Sequence, residues 1–269
     1  MDNHTDKVFE LTNKQVFFFD LDGTIYLGDT LFQGVLELMD LLKENNKDFF
    51  FLSNNSSKST EDYLKKLEDF NLNITRNNII LSQHPTIDYL KKSNFKRVFL
   101  LGTQSLKKEF KNEGFILTEN NPEILVLAFD QELTYERLVK AAYFLQKKNF
   151  PYIATHLDNR CPTENGFIPD AGGIAALLSK ATERMPKVFG KPNKQMILFK
   201  LERLDVSPKN AVIFGDRLYT DIRMGIEADI VTCCVLSGET TIEDIKKSEY
   251  KPNYTITGIW ELLEAFNKI

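Results

Sequence analysis

Val16-Phe17-Phe18-Phe19-Asp20-Leu21-Asp22-Gly23-Thr24 is a short continuous apolar run closed by two carboxylates and a turn. A run without polar alternation, of strand length and ended by Gly and Thr, reads as a strand buried on both faces, the kind found in parallel sheets. Its carboxylates then stand at the strand's C-terminal end. From Gly34 the apolar positions Val35, Leu38, Met39 and Leu42 keep helical spacing, and the next apolar run, Asp48 to Leu52, stops at Ser53-Asn54-Asn55. Together these make one β-α-β unit. Ser59 with Asp62 three residues later predicts a capping box, opening a helix that turns Tyr63, Leu64 and Leu67 inward.

The same grammar continues. A second strand and helix series lies between about His84 and Arg184: Arg97–Leu101, Glu123–Phe129, a helix from Thr134 to Lys148, and Pro151–Thr155. It predicts an α/β layer of its own. Lys187-Val188-Phe189 then runs into Gly190-Lys191-Pro192, a helix extends to Leu204, and the strand Ala211–Phe214 ends in Gly215-Asp216. Alternation of this kind implies parallel sheets with helices on their faces, and such folds bind ligands beyond the carboxyl ends of the strands.

Composition bounds the rest. At 269 residues the chain exceeds a single ordinary domain, so either one large α/β domain or a core with an inserted second domain fits, and the second is preferred. Hydrophobic residues at 42% and charged residues at 27% belong to a globular protein. A formal charge of -4, with a pI near 5.6, carries no basic footprint and argues against a nucleic-acid partner. Met1 to Gln15 lacks the basic and apolar regions of a signal peptide, and no segment has the apolar length of a membrane span, so a cytoplasmic protein without a membrane partner is expected. Asn-x-Ser/Thr triplets, beginning at Asn3, therefore carry no weight. Cys161, Cys233 and Cys234 are odd in number and lack metal-ligand spacing, which favours reduced thiols. His4 and His84 have no partner pattern. The 21 Phe and 9 Tyr lie mostly in strand-like runs and read as core, not as a base-stacking platform.

The chemistry sits in four polar clusters. Asp20 and Asp22 after one buried strand, and Asp216 and Asp221 after another, place like charges where a cation is needed to hold them together, and hard oxygen donors suit Mg2+. Lys191, Ser53 and Asn54 add a cation and hydrogen-bond donors for phosphate oxygens. Each cluster alone has a plainer reading: Asp-Gly is a common turn, and Ser-Asn-Asn a common loop. The ordered combination, each member after a strand, is what carries weight.

That combination resembles the haloacid dehalogenase superfamily, whose four motifs stand here as Asp20-Leu21-Asp22-Gly23-Thr24, Ser53-Asn54, Lys191, and Gly215-Asp216 through Asp221. The resemblance implies a Rossmann-like parallel-sheet core with an inserted α/β cap domain. Asp20 is then the nucleophile, Asp22 the general acid and base, and Ser53, Asn54 and Lys191 the phosphate ligands. Asp20, Asp22, Asp216 and Asp221 are the implied metal set for Mg2+, with Asp22 contributing its backbone carbonyl and Asp221 acting through water or supporting the ligands from behind. The segment between Ser53 and Lys191 is similar to the type IIA cap of NagD-like and p-nitrophenyl phosphatase-like members, through Ala141-Ala142-Tyr143-Phe144, Ile153 to Asp158, and Gly166 to Gly173. Residues 1–83 and 185–269 are the implied core and 84–184 the cap. The implied substrate is a small phosphomonoester, namely a nucleoside monophosphate, pyridoxal phosphate, phosphoglycolate, glycerol phosphate or a sugar phosphate. A homodimer is the assembly it points to.

By the same resemblance, specificity falls on the loop after Thr155, with His156, Asp158, Asn159 and Arg160 as candidates. His156 stands where the NagD pattern has Asn or Asp. Dehalogenation needs neither Asp22 nor a metal cluster, and a phosphomutase does not go with so large a cap. A catalytically silent binding or scaffold protein predicts lost motif residues, and none is lost.

Overall fold

A computed structural model of the protein describes residues 8–163 and 165–268. Asn3 and His4 lie outside them. The described residues fall into two compact units. The first lies within Met1–Ser53, Leu64–Ile80 and Lys191–Ile269, and the second is Asn54–Tyr63 with Leu81–Gly190.

Six strands form the first sheet, in the order Tyr254–Ile256, Val231–Val235, Ala211–Gly215, Val16–Asp20, Asp48–Ser53, Ile79–Leu81. Val16–Asp20 runs parallel to both of its neighbours, with Phe18 opposite Ile213 on one side and Phe50 on the other. Every residue of that strand is buried, as its unbroken apolar pattern requires. Side chains alternate between the faces. Phe18 packs with Phe50, Met196, Ile197 and Leu201 on one face, while Phe17 and Phe19 stack on Phe214 on the other, at ring separations of 6.4 and 5.1 Å. Burial of each such ring stabilises by roughly 1.5–3 kcal/mol.

The second unit holds a five-stranded parallel sheet in the order Lys187–Val188, Tyr152–Ala154, Ile124–Leu127, Arg97–Leu101, Ile116–Leu117. It has apolar clusters on both faces, one around Val98, Phe110 and Val126, the other around Phe99, Leu125 and Leu178. An antiparallel ribbon, Arg160–Thr163 with Gly166–Pro169, follows the Tyr152–Ala154 strand. The α/β parallel-sheet class expected from the sequence is what the chain adopts. One assignment differs. Lys187–Val188 pairs with Tyr152–Ala154 in the second sheet, although its place in the sequence order puts it with the first. Residues 54–63 likewise join the second unit.

The predicted capping box is present. Ser59 N and Oγ both donate to Asp62 Oδ2 at 2.9 Å, and Asp62 N donates back to Ser59 Oγ at 3.3 Å, opening the helix Thr60–Asp69. Cys233 and Cys234 are buried free thiols, and burial pushes the Cys234 thiol up to about 12, so neither is a nucleophile. Among the described residues no helix is long and apolar enough to cross a membrane.

Candidate active site

Three adjacent parallel strands, Ala211–Gly215, Val16–Asp20 and Asp48–Ser53, carry their motifs at the same edge of the first sheet, because parallel neighbours share a direction. Asp20 closes the middle strand and Ser53 closes its neighbour; Asp216 follows the third. Asp221 is brought back to Asp216 by the wide helical turn Leu218–Ile222. Asp20, Asp216 and Asp221 are all buried and present carboxylate oxygens within 4.8 Å of one another. Lys191 Nζ donates to Asp20 Oδ1, and also to Asp221 Oδ1 at 2.7 Å.

One ammonium among three carboxylates leaves the cluster with surplus negative charge. Burial raises the Asp20 pKa well above the carboxylate range, opposed by Lys191 and reinforced by Asp221 and Asp216. Burial likewise pushes Asp216 up to about 6, with Asp221 adding to it. For Lys191, burial disfavours the charge, but Asp20 and Asp221 outweigh it and keep the ammonium protonated. Asp216 Oδ2 accepts from Glu239 N at 2.7 Å, while its Oδ1 is buried with no hydrogen-bond partner. An orphaned carboxylate oxygen facing two further carboxylates is the donor set a hard divalent cation fits.

Close packing holds these groups in place. A Cβ on Gly238 would come within 2.1 Å of Asp216 Oδ2, and one on Gly215 within 2.3 Å of Asp221 Cβ, so only glycine lets the backbone approach. Asp22 follows Asp20 by two residues, just past the end of the Val16–Asp20 strand. Its Oδ2 accepts from Tyr26 Oη at 3.4 Å, and burial raises its pKa against the fields of Lys66, Arg217 and Lys191. A carboxyl whose pKa is raised by burial is suited to proton donation.

This geometry has known counterparts. A model of haloacid dehalogenase-like hydrolases matches residues 17–116, and a HAD-hydrolase-like model matches residues 188–262. The 4-nitrophenylphosphatase of Thermotoga maritima superposes with a TM-score of 0.91 at 41% identity, covering 98% of this chain and 100% of that one. The chain belongs to the haloacid dehalogenase-like hydrolase family. Acid sugar phosphatase of Staphylococcus saprophyticus is 29% identical over 260 residues, which is 96% of this chain and 100% of that protein. A NipSnap protein of Caenorhabditis elegans is 35% identical over 253 residues, and the match spans about half of its length, 48%. Within the haloacid dehalogenase family the chain sits in the NagD and p-nitrophenyl phosphatase branch, and it is a phosphatase of that type.

Of the residues that the motif order points to, Asp20, Asp22, Ser53, Lys191, Asp216 and Asp221 all lie in the first unit. Asn54, the next residue after Ser53, belongs to the second. There it meets Asp158: Asn54 Nδ2 donates to Asp158 Oδ1 at 2.9 Å. His156 is wholly buried, whereas Asn159 and Arg160 are exposed, with the Arg160 guanidinium 4.0 Å above the Phe167 ring. The loop after Val231–Val235 is the contributor that the haloacid dehalogenase motifs pass over. Ser237 Oγ donates to Gly23 O at 2.7 Å, Glu239 N holds Asp216, and Gly238 provides the close approach. Its signal is the same as that of the four motifs, a polar glycine-bearing turn after a buried strand.

Proposed function

We propose that this phosphatase is a Mg2+-dependent hydrolase of small phosphomonoesters that works through an aspartyl phosphate on Asp20. The observation that carries the reading is the buried cluster of Asp20, Asp216 and Asp221 around the single ammonium of Lys191. Asp20, Asp216 and Asp221, with Asp22 beside them, would hold the cation, whose positive charge would offset the repulsion between a carboxylate nucleophile and a phosphate dianion.

The chain's own groups supply the rest. A carboxylate oxygen of Asp20 forms a bond to phosphorus as the ester P–O bond breaks, and Asp22 gives its proton to the departing alkoxide. Asp22, now ionised, takes a proton from a water whose oxygen attacks the phosphorus of the aspartyl phosphate. The Asp20–phosphorus bond breaks, and inorganic phosphate and the free carboxylate are regenerated. Lys191, Ser53 and the Asn54 amide place charge and donors against the other phosphate oxygens. Residues 84–184 are the proposed cap, with Arg160 its candidate for recognising a second anionic group on the substrate.

Nucleoside monophosphates, pyridoxal phosphate, phosphoglycolate, glycerol phosphate and sugar phosphates form the substrate class, with p-nitrophenyl phosphate as a reporter. The test is phosphate release across this panel, with Mg2+ and with a chelator, by wild type and Asp20→Asn. Release that needs both Mg2+ and Asp20 is expected. Release that survives in Asp20→Asn would exclude the aspartyl phosphate, and no release from any ester would leave a binding protein.

A further inference from the structure

Within the second unit a buried polar array is built behind Asn54. Its carboxamide nitrogen donates to Asp158 Oδ1 at 2.9 Å, and its backbone carbonyl accepts from Ser82 Oγ at 2.7 Å. A carboxylate only accepts, so it fixes which end of the amide turns toward it: the NH2 end. The oxygen end faces Gly190, where a Cβ would come within 2.6 Å of Asn54 Oδ1. Asp158 is in turn held from behind. His156, fully buried, accepts from Asp158 N at Nδ1 at 3.4 Å, with the same nitrogen 3.8 Å from Asp158 Oδ2, and sets Nε2 at 3.6 Å from Asp170 Oδ1 and 3.2 Å from Ser56 Oγ. Asp170 caps the helix Ala171–Thr182, accepting from Ala171 N at 2.5 Å. Gly172 N, in the first turn of that helix, donates to the Asp158 carbonyl at 2.8 Å.

We infer that Asp158 is a positioning residue for Asn54, with His156 as its support. Two of the four residues that the sequence points to as leaving-group contacts thus set the orientation of a phosphate-binding amide. The inference rests on the proposed role of Asn54 as a donor to phosphate. Each Nδ2 hydrogen has its own direction; with one aimed at Asp158, the direction of the other is fixed as well. A flipped amide would turn its carbonyl oxygen, an acceptor, toward the anionic phosphate.

The test is a double-mutant cycle between Asp158→Asn and Asn54→Ala, assayed on p-nitrophenyl phosphate and on glycerol phosphate, with folding checked by thermal melting. Asp158→Asn offers a donor as readily as an acceptor and no longer selects one amide orientation. It is expected to lower kcat/KM by roughly ten- to a hundredfold, by the same factor on both esters, because the defect lies at the phosphate that they share. In the Asn54→Ala background the same change is expected to cost nothing further. Asp158→Glu, which keeps an acceptor-only group, recovers part of the loss, and His156→Gln gives a smaller loss that also vanishes in the Asn54→Ala background. A loss that differs between the two esters, or that persists in full without Asn54, overturns the inference and makes Asp158 a leaving-group contact. If Asp158→Asn does not fold, His156→Gln and Asp158→Glu decide by the same two criteria. Lack of turnover by the wild type sinks the phosphatase reading and this inference together; wild-type turnover with additive losses sinks the inference alone.

Discussion

Lys191 is the residue on which the charge balance of the first unit turns. Its ammonium donates to two of three buried carboxylates, Asp20 and Asp221. Replacing it by Met leaves three carboxylates with no ammonium among them. Removing one partner of a buried pair costs roughly 3–5 kcal/mol, so Lys191→Met should lower the denaturation midpoint by a corresponding amount in the absence of metal, as urea titration would measure. Asp20→Asn acts differently, because it removes a negative charge from an over-charged cluster. It is expected to cost at least about a thousandfold in kcat while leaving the metal-free protein as stable as wild type or more so, a split that kinetics and melting together resolve. Gly238→Ala tests the close approach. Its Cβ has no room beside Asp216, so Mg2+ affinity falls while the apolar core is untouched, and a Mg2+ titration of melting temperature reads the difference.

Helix starts in the second unit are joined through one carboxylate, Glu109. Thr60, at the start of Thr60–Asp69, donates to it from its hydroxyl at 2.5 Å and from its backbone N at 3.2 Å, and Gln83 Nε2, at the start of Gln83–Lys92, donates at 3.2 Å. His84 Nε2 lies 2.8 Å from the same Thr60 hydroxyl and 3.7 Å from Glu109 Oε1. Burial raises the Glu109 pKa, but His84, Thr60 and Gln83 outweigh it and leave the value below the ordinary one. A carboxyl with a depressed folded pKa contributes stability that is present above its unfolded value, about 4.3, and is lost as pH falls through the folded value. Acid melting curves of wild type should therefore steepen below about pH 4.3, and Glu109→Gln should remove that part of the slope. Its cost at neutral pH is expected to be about 1–3 kcal/mol. At this scale the sequence was partly legible. The Ser59–Asp62 capping box is local, three residues apart, and was readable, whereas Glu109 meets Thr60 across 49 residues and left no mark in the spacing.

Over the whole molecule, two units each carry their own apolar cores, and a metal held by one of them should act on that unit's stability. Mg2+ at a hundred times its dissociation constant stabilises by about 2.7 kcal/mol, so saturating Mg2+ should raise the melting temperature, and Asp216→Asn should abolish the rise; calorimetry with and without chelator checks both. The strands Val16–Asp20, Asp48–Ser53 and Ala211–Gly215, and the identity of their terminal carboxylates and hydroxyl, were determined by sequence alone. Apolar runs and turn residues act over a few neighbours, so their meaning survives without a fold. Only the tertiary structure decided that Lys187–Val188 pairs in the second sheet and that one lysine serves both Asp20 and Asp221, 171 and 30 residues away. It alone also buried His156 between Asp158 and Asp170. Those outcomes depend on desolvation and on which charges meet across the chain, quantities that exist only once the sheets have brought distant residues together.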